Sequence, residues 1–284
     1  MRNLILGLST ALCLLSGGEA VARQGAQPWE SLRATAPLPP VKETGRLKVE
    51  GAELHYAVYG EGHPVILLHP GLGNSEYWAN QVGPLSQDFR VITVDLRGHG
   101  RSTGGSAPLT YRLLAEDVVR LIKTRKLKEP AIVGWGDGAV VGLEIARHYP
   151  KRIGKLVAFG LTFDKSGQQP APDKAGTFVD YVRKAQADYQ KIAPDPAAFG
   201  ATLDGLEAMW EREPAFTAEE LAKVKVPTVV MAAEYDEWVK PQHMTEASRL
   251  IPGAQLVLLP RASHFAPWQA SKKFNDALRL VLRE

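Results

Sequence analysis

Two kinds of apolar pattern run along this chain, and together they predict a layered α/β fold. RLKVEG and AELHYAVYG alternate apolar and polar residues on either side of Gly51, as two antiparallel strands at a sheet edge do. VILLH (65–69) and VITVD (91–95) are short continuous apolar runs, the pattern of parallel strands buried on both faces. AIVGW, LVAFG, VPTVVMAAEYD and AQLVLLP repeat that pattern. Helical stretches such as YRLLAEDVVRLIKTRK and the region after Asp137 lie between the strands. Strands and helices that take turns in this way fold as a doubly wound sheet, not as a helix bundle or a β-sandwich.

One stretch breaks the alternation. From about Asp164 to Lys225 there is no strand pattern, only helical segments such as TFVDYVRKAQADYQKIA and AAFGATLDGLEAMWERE, with Pro and Gly between them. It is too long for an ordinary connection, which predicts a helical cap over residues 164–225. Phe178, Tyr181, Tyr189, Phe199, Met209 and Trp210 could line an apolar pocket beneath it, although packing onto the core is the expectation for most of them. The final helix, KKFNDALRLVL, carries Phe274, Leu278 and Val281 at helical spacing and should cover one face of the sheet. Residues 23–45 are rich in Pro, Ala and polar residues without a period and predict a flexible segment on the surface. The folded domain is expected over 46–284.

Composition narrows the classes of function. With 284 residues, 45% hydrophobic and 23% charged, the chain suits one sizeable α/β core plus an insertion. Its net charge of +3 comes from 34 basic and 31 acidic residues without a dense basic run, so there is no footprint for nucleic acid or an anionic membrane. A small-molecule substrate or ligand is the expected partner. Arg2, the apolar LILGLSTALCLL and Ala20-Val21-Ala22 form a signal-peptide pattern over residues 1–22, with cleavage before Arg23. The apolar run is too short to span a bilayer easily. Export to the periplasm or the exterior is expected, with no membrane attachment after cleavage. Cys13 is the only cysteine and lies inside that segment, so the mature chain has no disulfide, thiolate metal site or cysteine nucleophile.

The candidate chemistry centres on GWGDG at 134–138, between a strand ending KEPAIV and the helix-like AVVGLEIARHYP. That is the strand-turn-helix setting of a G-x-S-x-G nucleophile elbow, with Gly136 where the serine belongs. HPGLGNSEYW (69–78) and VDLRGHGRS (94–102) precede it, and AAEYDEWVKP and PRASHFAPW follow it. In this order the set resembles the α/β-hydrolase superfamily, and the likeness covers nearly everything after residue 46.

The resemblance implies a mostly parallel eight-stranded sheet flanked by helices, with a helical cap and no metal or organic cofactor. It matches Asp236 to the triad acid, with Glu234 and Glu237 as competing carboxylates and a turn cap as the plainer role for Asp236. It matches His264 to the base, with His69 as runner-up. It implies an oxyanion hole from the backbone N–H of Asp137 and of Gly71 in the first motif loop, with Leu72 as the other candidate for the second donor. Pro70 has no N–H to give. Leu72, Trp135 and Trp238 are the expected substrate contacts.

A glycine at 136 relieves the strain that a positive φ imposes on serine, and removes the nucleophile. Asp137 would fill the role only with a register shift that leaves Ala139 where the closing glycine belongs. Ser75 and Ser102 lie in nearby loops, where this family uses serine for support. Three readings of Gly136 remain open: an enzyme that works without a covalent intermediate through a His264–Asp236 dyad, a ligand-binding pseudoenzyme, and an introduced substitution in an active serine hydrolase. All three share descent from hydrolases of esters, amides or C–C bonds next to carbonyls.

Overall fold

The computed structural model describes residues 27–169 and 176–284. The expected signal segment, residues 1–22 with Cys13, lies outside them. Eight strands form one sheet: β1 (Glu43–Val49), β2 (Ala52–Tyr59), β3 (Pro64–Leu68), β4 (Arg90–Val94), β5 (Ala131–Trp135), β6 (Lys155–Phe159), β7 (Thr228–Ala233) and β8 (Gln255–Leu259). Their order is β1-β2-β4-β3-β5-β6-β7-β8. β1, β2 and β4 pair antiparallel, with Val49 opposite Ala52 across the Gly51 turn. All pairs from β4 through β3 to β8 are parallel. This is the mostly parallel, doubly wound sheet that the apolar runs predict.

The continuous apolar runs are buried for a topological reason. Each parallel pair needs a crossover, and the crossover helices cover the sheet on both faces. They are α1 (Ala79–Leu85), α2 (Tyr111–Thr124) and α3 (Asp137–His148) in the first half of the chain. Between β6 and β7 come α4 (Thr177–Ile192), α5 (Phe199–Trp210) and the short α6 (Ala218–Leu221), with no strand among the described residues there. α7 (Pro241–Leu250), α8 (Ala266–Gln269) and α9 (Ser271–Arg283) complete the chain. α2 begins at Thr110, whose hydroxyl accepts the N–H of Leu113 at 3.0 Å, a side-chain cap for an otherwise unpaired donor. No helix among the described residues is long and apolar enough to cross a membrane.

Two departures from the sequence pattern have plain causes. AQLVLLP forms β8, but β8 is the sheet edge and is not buried on both faces: Leu256 and Leu258 are 42% and 55% exposed, while Leu259 is buried. Among the described residues its only strand neighbour is β7. The first strand begins at Glu43, ahead of the expected boundary at 46, because Glu43 to Gly45 already pair with β2. Before it, residues 27–40 contain no helix or strand, yet they are tied down. Gln269 donates from Nε2 to the carbonyls of Trp29 (2.9 Å) and Ser31 (3.0 Å), and the Trp29 ring stacks on Tyr235.

The loop after β4 is fastened by a buried ion pair. Arg97, fully buried, donates through Nε and Nη2 to the two carboxylate oxygens of Asp117 on α2, at 2.8 and 2.9 Å, and through Nη2 to the Glu50 carbonyl at 2.8 Å. Two parallel bonds satisfy the guanidinium where water cannot. Asp117→Ala should therefore lower unfolding stability by about 3–5 kcal/mol in urea denaturation, because it leaves a buried cation unpaired. Arg97→Met combined with Asp117→Leu should cost much less than either single change.

Candidate active site

The site is built on the turn from β5 into α3. Gly136 occupies it with φ +56° and ψ −118°, a conformation that glycine adopts freely and that costs another residue about 1–3 kcal/mol. Its N–H donates to the Phe159 carbonyl at 2.9 Å, and its own carbonyl accepts Ala139 and Val140 in the first turn of α3. The flanking glycines are required by close approach. A Cβ on Gly134 would lie 2.2 Å from the Gly138 carbonyl oxygen, and one on Gly138 would lie 2.2 Å from that of Leu68.

His264 stands over this turn. The loop after β8 carries it, and the loop after β7 carries Asp236; both side chains are buried. His264 Nδ1 is 3.0 and 3.2 Å from the two carboxylate oxygens of Asp236. With Nδ1–H donated to that carboxylate, the neutral ring carries its lone pair on Nε2. Nε2 has no partner among the described residues, and a Cβ on Gly136 would lie 3.3 Å from it. Asp236 also accepts the N–H groups of Trp238 (2.9 Å) and Val239 (2.7 Å) through Oδ1, so it caps its own turn and holds the imidazole together.

A second carboxylate flanks the pair. Glu237 accepts the His264 N–H at 2.9 Å through Oε2, and through Oε1 the hydroxyls of Thr177 (2.6 Å) and Ser263 (3.3 Å). Burial, then the neighbouring Asp236 charge, pushes its pKa up. Burial alone would lower the His264 pKa, but the charge and hydrogen bond of Asp236, with Glu237 and Asp137 adding to them, turn the net shift upward.

A cavity of about 310 Å³ opens in front of Gly136 and His264, walled by Pro70, Gly71 and Leu72 on one side and by cap residues on the other. The N–H groups of Gly71, Leu72 and Asp137 have no acceptor among the described residues, and all three residues line the cavity. Pro70 to Gly73 form a turn closed by the Gly73 N–H on the Pro70 carbonyl at 3.0 Å, with Leu72 at φ +63°. Tyr181 on α4 donates its hydroxyl to the Gly71 carbonyl and so ties the cap to this loop. The Asp137 carboxylate accepts Tyr111 OH at 2.8 Å and Trp210 Nε1 at 2.9 Å. Burial raises its pKa against those two hydrogen bonds.

The remaining candidates separate into those at the cavity and those away from it. Leu72 and Trp238 line it, as do Phe178, Tyr181 and Trp210 of the cap, whereas Tyr189, Phe199 and Met209 pack the cap onto itself and the core. Trp135 does not line it, against the expectation of a substrate contact. It is fully buried at the end of β5, with its ring against Trp78, Phe265 and Trp268, because a strand covered on both faces sends that side chain into the core. His69 is a buried support: its Nδ1 bonds the Pro70 carbonyl at 2.8 Å and its Nε2 accepts the Leu96 N–H at 3.0 Å. Ser75 and Ser102 both bond Asp95, through the Ser75 N–H to the carboxylate and the Ser102 hydroxyl to the carbonyl. Glu234 accepts the Arg261 N–H at 2.8 Å, away from the cavity. Tyr111 and the pairing of Trp210 with Asp137 have no counterpart in the sequence reading. No local signal joins residues so far apart in the chain. Among the described residues no group of three or more His, Cys, Asp or Glu is arranged to hold a metal.

Comparison with known proteins gives the following. The model of the "Alpha/beta hydrolase family" matches residues 65–277. A protein of Agrobacterium fabrum named "Putative carbamate hydrolase RutD" is 30% identical over 253 residues, which are 79% of this chain and 96% of that one. The human "Serine hydrolase BPHL" is 26% identical over 82% of this chain and 84% of its own. Among solved structures, a serine hydrolase involved in carbazole degradation (CarC enzyme) superposes with a TM-score of 0.74 at 22% identity, covering 86% of this chain and 99% of that one. At that identity the likeness speaks for the fold.

The electrostatics make a measurable prediction. In an NMR titration the His264 imidazole should titrate above the ordinary value of about 6.5, because Asp236 outweighs the effect of burial. Asp236→Asn should move that midpoint down. A midpoint unmoved by Asp236→Asn would contradict the account of the pair.

Proposed function

Because the chain belongs to the α/β-hydrolase family, whose relatives include proteins named as hydrolases, we propose that it hydrolyses a small, partly apolar ester or amide without forming an acyl-enzyme. Residues 164–225 act in this reading as the cap that selects the substrate. The observation that carries it is the geometry around residue 136: a side chain there would point at His264 Nε2 from 3.3 Å, and the residue has none. In this reading a water molecule takes the nucleophile's place. His264 Nε2 accepts its proton while Asp236 holds the ring and stabilises the imidazolium. The N–H groups of Asp137 and Gly71 receive the developing oxyanion. Leu72, Phe178 and Trp238 supply the apolar contacts for the acyl group.

Magnitudes set the scale. Losing the nucleophile of a serine hydrolase costs about a million-fold and leaves roughly a thousand-fold over water, so the activity is slow and favours activated substrates. A second reading rests on the same glycine: the mostly apolar cavity serves as a binding site and turnover is incidental. Export by the signal-peptide pattern of residues 1–22 accompanies either reading.

Aryl esters of short acids test the proposal. The protein should release phenolate slowly, without a burst, and His264→Ala should lose about a hundredfold or more. Because His264 acts unprotonated, the rate should rise with pH through a midpoint above the ordinary histidine value. Gly136→Ser should raise turnover by several orders of magnitude, up to about a million-fold, and introduce an acyl-enzyme burst, which is also the outcome for an introduced loss of serine. Turnover unchanged in His264→Ala would sink the hydrolase reading, and tight ligand binding without turnover would favour the binding one.

A further inference from the structure

The two edges of the sheet are built differently. At one, β1 carries Glu43, Arg46 and Lys48, and charges of this kind keep an edge from pairing with another chain. At the other, β8 reads Gln-Leu-Val-Leu-Leu, with no charge and no proline. The Leu259 carbonyl accepts the Glu234 N–H just beyond β7 at 3.1 Å. By the alternation of the ladder, Gln255, Val257 and Leu259 therefore turn their backbone groups to β7, while Leu256 and Leu258 turn theirs outward. Those outward groups have no partner among the described residues. Their side chains are exposed as well. With Leu280 of α9 they make three of the five large apolar side chains that stand exposed among the described residues, so exposed apolar surface concentrates at this unguarded edge.

We propose that this edge pairs with the same edge of a second copy of the chain, β8 against β8, antiparallel about a twofold axis at Val257. One sheet then runs through a dimer, and its two sites lie at opposite ends. The strand is self-complementary in that register. Leu256 and Leu258 of one copy stand opposite Leu258 and Leu256 of the other, so the four outward N–H groups meet the four outward carbonyls. The four leucine side chains then lie side by side on one face, where cross-strand pairs stabilise a sheet. Nothing in this pairing depends on what the cavity binds or hydrolyses.

Charge on α9 selects a second copy as the partner. Lys273 bonds the Pro260 carbonyl just beyond one end of β8, and Gln255 at the other end donates to Glu284 at 3.4 Å, so the helix runs back along the strand. Lys273, Ala277, Leu280 and Glu284 recur at the i, i+4, i+7, i+11 spacing of one helix face. A helix from Lys273 to Glu284 and a strand from Gln255 to Pro260 both rise about 16 Å, which sets Leu280 level with Val257 and hence near the axis. The twofold brings Leu280 toward its counterpart and places Lys273 of each copy at the end where the other has Glu284. A parallel pairing would set like charges together. Lys272, Arg279 and Arg283 of the same helix are already paired with Asp276 and Asp88, whereas Lys273 and Glu284 bond only a carbonyl and an amide among the described residues.

Analytical ultracentrifugation of the purified protein tests this directly. It should sediment with twice the mass of one chain and dissociate on dilution. Leu258→Lys, checked for folding by circular dichroism, should raise the dissociation constant by about thirtyfold or more, the effect of losing a strong interface contact. Lys273→Glu should weaken the dimer severalfold, and adding Glu284→Lys to it should restore the affinity, which a mere loss of folding would not do. In hydrogen exchange the amides of Leu256 and Leu258 should be protected in the dimer and become fast on dilution. A single-chain mass at every concentration would overturn the proposal, and slow exchange of those two amides in such a monomer would show that the chain covers its own edge. A dimer indifferent to Leu258→Lys and to the exchange of charges would also overturn it, because another surface would then hold the copies together.

Discussion

The structure depends on how closely α3 approaches the sheet at the end of β5. The chain must leave a buried parallel strand and enter a helix within one residue, and the helix start then lies against β3. A Cβ on Gly134 or Gly138 would fall 2.2 Å from a backbone oxygen, far inside any tolerable contact, so both positions have to be bare. The residue between them is forced to φ +56° and ψ −118°. That conformation aims its side-chain direction away from the sheet and at the imidazole of His264. The elbow therefore keeps its direction even though nothing projects along it.

From this turn the rest of the site is assembled by loops at the C-terminal ends of parallel strands, where open α/β sheets place their sites. β3 leads to the Pro70–Gly73 turn, β7 to Asp236 and Glu237, and β8 to His264. The cap is joined to the first two of these loops and to the turn itself. Tyr181 bonds the Gly71 carbonyl, Trp210 bonds the Asp137 carboxylate, and Thr177 bonds Glu237. Asp137 works at two levels: its N–H faces the cavity, and its carboxylate fastens α5 and the first residue of α2 to the start of α3. Cap position and donor position are thus mechanically linked, which suits a site whose geometry must be set before a substrate arrives.

The electrostatics around His264 follow from the same crowding. Asp236, Glu237 and Asp137 all act on one buried imidazole and favour its charged form. Burial opposes them, and raises the pKa of Glu237 and Asp137 themselves. The competition between desolvation and opposite charge is settled in favour of charge at His264 because Asp236 touches Nδ1 directly. At His69, where the ring is equally buried and its bonds go to the Pro70 carbonyl and the Leu96 N–H, burial prevails and the pKa falls.

The chain's own pattern determined the sheet, the crossover helices and the glycine turn, because each is written in local periodicity or in a contiguous motif, whereas the pairing of Asp236 with His264, 28 residues apart, came only from the resemblance of their loops to the family's motifs. It did not separate an edge strand from a buried one: LVLL in β8 has the same apolar run as ILL in β3 or VVM in β7, and only the strand order leaves Leu256 and Leu258 exposed. Nor did it place Trp135, whose neighbour in the chain lines the cavity while its own ring joins the core. The partners of Tyr111, Tyr181, Trp210 and Glu237 were beyond its reach for one reason. They lie from 26 to 110 residues away in the chain, and a contact across that distance is decided by how helices and loops pack, which no local pattern records.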